Sequence, residues 1–112
     1  ERLMRSYENA RHVIRVGALQ LDMDSFKLSY KDNYQVLSDT EGRILRELIE
    51  AFPRTVSKTE IMQSLWGGPD HIDENVLQVN MVRLRKALSS IGIEDRIETV
   101  RGVGYRLQEG DD

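Results

Sequence analysis

Read along its length, the chain changes period twice. The stretch "VIRVGALQLD" at 13–22 alternates apolar and polar residues about a Gly-Ala turn, and "FKLSYKDNYQVL" at 26–37 does the same about Lys-Asp-Asn. Alternation of this kind marks half-buried strands, so the pattern predicts four short strands in meander order. The spacing then becomes helical. "SDTE" at 38–41 has the form of a capping box, with Ile44, Leu45, Leu48 and Phe52 behind it and Pro53 to stop the run. "SKTE" at 57–60 repeats the device, with Ile61, Leu65 and Trp66 as the apolar face and Gly67-Gly68-Pro69 as the end. A third helix starts near Asp73 and is closed by "IGIED". The period returns to two in "RIETVRGVGYRLQ", which predicts strands at 96–100 and 104–108 turned by Arg-Gly-Val-Gly.

Four strands, three helices and a two-stranded hairpin make an α+β chain of the winged helix-turn-helix kind. The expected architecture is an N-terminal four-stranded antiparallel sheet, a three-helix bundle and a C-terminal hairpin wing. In such an arrangement the last helix can enter a DNA major groove, with the hairpin beside it.

The third helix, "VNMVRLRKAL" and the residues before it, carries two unlike faces. At about 100° per residue, Leu77, Met81, Leu84 and Leu88 fall on one side and form the predicted core stripe. Asn75, Val79, Val82, Arg83 and Lys86 fall opposite, with Gln78 and Arg85 on one border and Val76 and Asn80 on the other. This outward set has the chemistry to read base edges. Arginine donates to guanine acceptors, asparagine (Asn75 or Asn80) pairs with adenine, and valine touches the thymine methyl. Lys86 and Arg85 suit phosphates, which fix register without reading sequence. The bland alternative is a solvated face with two exposed valines, or valines covered by another protein element. The hairpin shifts the balance toward nucleic acid. "TVRGVGYR" at 99–106 places two glycines in a thin turn with Arg101 just before it. One guanidinium on a thin turn fits the negative potential of a minor groove. Tyr105 is expected to place its ring in the core and its hydroxyl toward a phosphate.

The overall charge of −3 changes this picture less than its distribution does. Residues 75–106 carry six basic and three acidic side chains, while residues 1–74 carry 10 and 13 and the tail 109–112 adds three acids. The cations are therefore gathered where the helix and hairpin lie, and a local patch attracts polyanions on a chain acidic overall. The same reasoning sets about four to six cationic phosphate contacts per protomer and a salt slope near −4 to −5. The 112 residues suffice for one domain with its own core, and 39% hydrophobic content is ordinary for a globular fold. Absence of cysteine excludes disulfides and thiolate metal sites, and no apolar run is long enough to span a membrane. Residues 1–12 read as a helix end and tether, 13–108 as the domain, and 109–112 as an acidic tail. No leader-like run is seen and the first residue is Glu1, so the expectation is a cytoplasmic piece of a longer chain. Catalysis finds little support: His12 and His71 are the only histidines, neither has a ligand or triad partner at useful spacing, and no glycine-rich loop follows a strand. No cofactor or metal site is expected. A winged helix serving only as a protein-interaction module is the other alternative, and it would show little salt dependence toward DNA.

Four segments in order, "LSDTEGRILRELI", "VSKTEIMQSLWG", "VNMVRLRKAL" and "IETVRGVGYRL", resemble the output domain of OmpR/PhoB-type bacterial response regulators. The resemblance covers about residues 13–108, and "RLRKAL" and "TVRGVGYRL" are its most specific parts. It implies a transcription regulator that binds double-stranded DNA as a head-to-tail pair on direct repeats. It further implies control by an upstream histidine kinase acting on a receiver domain not contained in residues 1–112. By matching positions it implies DNA contacts from Asn75, Val79, Asn80, Val82, Arg83 and Arg85. The same matching implies a phosphate contact from Trp66, a backbone contact from Thr99 and a minor-groove contact from Arg101. The loop Gly67, Gly68, Pro69, Asp70, His71 and Ile72 matches a segment that meets RNA polymerase in some members. Asn75 and Val76 stand where many members carry arginine or threonine, and Val82 where arginine is frequent. That departure implies weaker phosphate anchoring or more reading by apolar and amide groups.

Overall fold

The computed structural model describes residues 12–93 and 96–108. The predicted helix end and tether lie outside these residues apart from His12, as does the acidic tail. Strands β1 (Val13–Val16), β2 (Leu19–Asp22), β3 (Lys27–Tyr30) and β4 (Asn33–Val36) form an antiparallel meander in that order. Asn33 belongs to β4, so the second turn is Lys31-Asp32 and shorter than the sequence suggested; Lys31 adopts φ 55° to close it. Alternation puts Leu19, Leu21 and Leu28 inward, each with no exposed surface, while Gln20, Lys27, Tyr34 and Val36 face out.

Helix α1 (Asp39–Ala51) begins with the capping box predicted for it. Ser38 Oγ accepts from the Glu41 amide at 3.1 Å and the Glu41 carboxylate accepts from the Ser38 amide at 3.2 Å. Such a cap stabilises a helix by about 1 kcal/mol. Its inward face is Ile44, Leu45, Leu48 and Ile49. Gly42, a poor helix former, is explained by its neighbour: a Cβ there would lie 2.4 Å from the Phe26 ring, which sits over the helix. Helix α2 (Lys58–Trp66) has the second capping box, Ser57 with Glu60, and ends on Gly67 in the left-handed conformation. A single 3-10 turn, Pro69–His71, leads to helix α3 (Glu74–Ser90), whose N-cap is Asp73.

The hairpin consists of β6 (Ile97–Val100) and β7 (Gly104–Leu107), one residue shorter at each outer end than predicted. It is not a free two-stranded ribbon. The segment β5 (Val56–Ser57), between α1 and α2, pairs with β7, giving a three-stranded sheet in the order β5-β7-β6. Gly104 makes this possible. A Cβ on it would lie 2.0 Å from the Val56 carbonyl oxygen and 2.7 Å from Ser57 Cα, so only glycine lets the strands approach. Of the two glycines assigned to the turn from sequence, Gly102 (φ 77°) serves the turn and Gly104 the sheet.

The core lies between the two sheets and the three helices, and Leu77, Met81, Leu84 and Leu88 of α3 enter it with at most 2% exposure. Burying each such side chain contributes about 1.5–3 kcal/mol. Arg96 is also buried, its guanidinium 5.6 Å from the centre of the Tyr30 ring, which joins the base of the wing to β3. Among the described residues no helix is long and apolar enough to cross a membrane.

Candidate nucleic-acid interface

Helix α3 is 17 residues long, about 25 Å at the usual rise. Its start is fixed three ways. Asp73 Oδ1 accepts from the Asn75 amide at 2.9 Å, Glu74 places an acid in the first turn, and Lys58 Nζ donates to Glu74 Oε2 at 2.9 Å. Gln78 Nε2 donates to the same oxygen at 3.3 Å. The hydrogen bond and charge of Glu74 hold the Lys58 ammonium above its ordinary pKa, and Lys58 in turn holds the Glu74 carboxyl below the usual carboxylate range. Helices α2 and α3 are thereby joined at their N-terminal ends.

With its leucine face buried, α3 turns Asn75, Val79, Val82, Arg83 and Lys86 outward. Val79 is 48% and Val82 53% exposed, so neither valine is covered by another element among the described residues. Val76 and Asn80 are half-buried at the border, as their wheel positions predict. Asn75, Val76, Val79, Asn80 and Arg83 together line a shallow concavity of about 290 Å³. Asn80 is partly engaged already: its Nδ2 donates to the Val76 carbonyl at 2.8 Å. Arg83 and Lys86 make no ion pair or hydrogen bond among the described residues and stand in solvent. Arg85 differs from them. Its Nη2 donates to the Ile97 carbonyl at 3.1 Å and to Thr99 Oγ1 at 2.7 Å, and its guanidinium lies 6.0 Å from the centre of the Tyr105 ring.

The wing presents an exposed tip, Arg101, Gly102 and Val103. The Val103 amide donates to the Val100 carbonyl at 2.9 Å, closing the turn, and the Val103 carbonyl accepts from the Lys58 amide at 3.2 Å. Arg101, like Arg83, makes no ion pair or hydrogen bond among the described residues. Arg106 is paired with Glu98 across the strands, Nε to Oε1 at 3.0 Å. Thr99 is exposed, whereas Tyr105 is 5% exposed and belongs to the core. Trp66 is half-buried against the core at the end of α2. In the loop 67–72, Asp70 and His71 are exposed while Ile72 packs on the core. Val103, 49% exposed at the wing tip, and Lys58 were not singled out from sequence. A lone apolar residue between two glycines was the available signal for Val103; the Lys58–Glu74 pair spans sixteen positions and leaves no local mark.

The family described as Transcriptional regulatory protein, C terminal, matches residues 33–107, which run from β4 to the end of the wing. The chain belongs to it. This transcriptional-regulator domain is 33% identical over 96 residues to the phosphate regulon transcriptional regulatory protein PhoB of Rhizobium meliloti (strain 1021), covering 86% of this chain and 42% of that protein. It is 38% identical over 89 residues to the response regulator protein GraR of Staphylococcus aureus (strain MRSA252), covering 80% of this chain and 40% of that protein. The chain thus spans about two fifths of the length of these relatives. Among solved structures, the C-terminal domain of the nisin resistance regulator NsrR is 42% identical, with a TM-score of 0.75 over 88% of this chain and 99% of that one. The Klebsiella pneumoniae RstA DNA-binding domain, solved in complex with the RstA box, is 28% identical with a TM-score of 0.71, covering 86% and 96%. Both the OmpR/PhoB assignment and the winged helix-turn-helix fold expected from sequence are borne out. The family is one of transcription regulators, not enzymes.

Proposed function

We propose that this domain binds double-stranded DNA sequence-specifically, with α3 in the major groove and Arg101 of the wing in the adjacent minor groove. The observation that carries the reading is the outward face of α3, where Val79, Val82 and Arg83 are exposed and, among the described residues, uncommitted. In this reading Arg83 donates to guanine O6 and N7, Asn75 pairs with adenine, and Val79 and Val82 meet thymine methyl groups. Lys86 anchors a phosphate, and Trp66 and Thr99 approach the sugar-phosphate backbone from either side of the helix. Asn80 is the weaker reader of the two asparagines, since its amide nitrogen is engaged by Val76.

Two copies arranged head to tail on direct repeats complete the proposal. Control comes from a histidine kinase acting on a receiver domain elsewhere in a longer, cytoplasmic response regulator. Asp70 and His71, exposed side chains of the loop 67–72, are the place where RNA polymerase would be met. Selection from random duplexes tests the central claim. Enrichment of paired half-sites about 10–11 base pairs apart is the expected result, because that spacing puts both copies on one side of the helix. Failure to enrich any sequence would refute it.

A further inference from the structure

Among the cations of α3, Arg85 alone is engaged by the wing, and we propose that it is a positioning residue that sets the angle between recognition helix and wing. The inference rests on the DNA-binding reading above and deepens it. One nitrogen, Nη2, donates both to the main chain of β6 at Ile97 and to the hydroxyl of Thr99, two residues further along the same strand. The guanidinium carbon lies 6.0 Å from the centre of the ring of Tyr105, whose strand pairs with β6 in a register that sets Thr99 opposite Tyr105. Both strands of the wing are therefore held by one side chain of α3. Nothing comparable reaches the wing from Arg83 or Lys86.

The link has a functional direction. Arg101 follows directly after β6, so the strand that Arg85 holds is the strand that delivers the wing arginine. A helix seated in one groove and an arginine in the next must keep a fixed separation, and misplacement of either forfeits its contacts. Arg85 fixes that separation before DNA arrives, which lowers the ordering cost of binding. It acts through Arg101 rather than by neutralising a phosphate. Thr99 then has a role in the free protein as the acceptor at the far end of the link.

Three variants of the chain separate the roles. Lysine keeps the charge but is one atom shorter and lacks the planar fork, so Arg85→Lys preserves a phosphate contact far better than it preserves this link. Thr99→Val removes the acceptor and leaves the shape. Expected for both variants is faster amide exchange at Val103 in the free protein and about five- to tenfold weaker binding to the selected duplex. In an Arg101→Ala background, Arg85→Lys should add less than about twofold, because the contact it positions is already gone. Near-wild-type binding by Arg85→Lys, or losses that multiply with Arg101→Ala, would overturn the positioning role. Unchanged exchange at Val103 in both variants would overturn it with no DNA present. Wild type failing to bind any duplex would instead overturn the DNA reading, a result the exchange measurement keeps distinct.

Discussion

Salt dependence on a duplex holding one half-site gives the sharpest test of the interface, because the structure fixes how many cations are available. Lys58 is paired with Glu74, Arg106 with Glu98, Arg96 is buried, and Arg85 is bound to the wing. Of the cations in residues 75–106, Arg83, Lys86 and Arg101 remain without a partner among the described residues, fewer than the four to six phosphate contacts expected from sequence. A cation held in either groove, on a base edge or on a phosphate, lies close enough to the backbone to displace condensed counterions. Counting about one per side chain gives a slope of log K against log salt of about −2.7, or about 40-fold in affinity between 50 and 200 mM. Val82→Arg adds a fourth cation at a position 53% exposed on the same face. The slope should steepen to about −3.6 and the loss over the same range to about 150-fold. Fluorescence anisotropy at four or five salt concentrations, repeated on a random duplex, supplies both slopes. A wild-type slope shallower than about −1, or identical slopes for wild type and Val82→Arg, would show that this face does not meet DNA.

Other outcomes follow from single side chains. Arg83→Ala should weaken binding to the selected half-site by about 1–3 kcal/mol and relax preference at one base pair; equal loss on selected and random duplexes would argue against base reading. Arg101→Ala should cost less, with the loss concentrated on sites that are A·T-rich on the wing side, and competition between A·T-rich and G·C-rich flanks measures it. Leu84→Ala leaves a cavity at a position with no exposure and should cost about 2–5 kcal/mol in denaturant unfolding; unchanged stability would mean that the wrong face of α3 is inward. Gly104→Ala must separate β5 from β7 and should destabilise by about 2 kcal/mol or more, measured the same way, whereas Gly102→Ala should cost less because nothing lies within 4 Å of its Cβ position.

The parts of the fold legible in the sequence were those written in local period and local caps. Both capping boxes, the meander and the division of α3 into a leucine face and an outward face depend on residues two to four positions apart. The pairing of β5 with β7 was not legible. Val56 and Ser57 are too few to show alternation, and what identifies them as a strand is the approach of Gly104, 48 residues away from Val56. The site shows the same limit. Exposure of Val79, Val82 and Arg83 could be read from the wheel, but the engagement of Arg85 could not, because its acceptors lie twelve and fourteen residues on. Composition treats every arginine as an available charge; only tertiary contacts reveal which one is occupied.

With β7 clamped between two neighbours and β6 held from α3, the stretch 101–103 is all that remains of the wing as an independent loop. A different tripeptide that keeps glycine at position 102, where φ is 77°, leaves the ladder below untouched, and the acceptor offered to Lys58 is a main-chain oxygen that any residue at 103 can supply. Groove preference on that side can thus drift, or be engineered, in a cassette of three residues while the scaffold stays as it is.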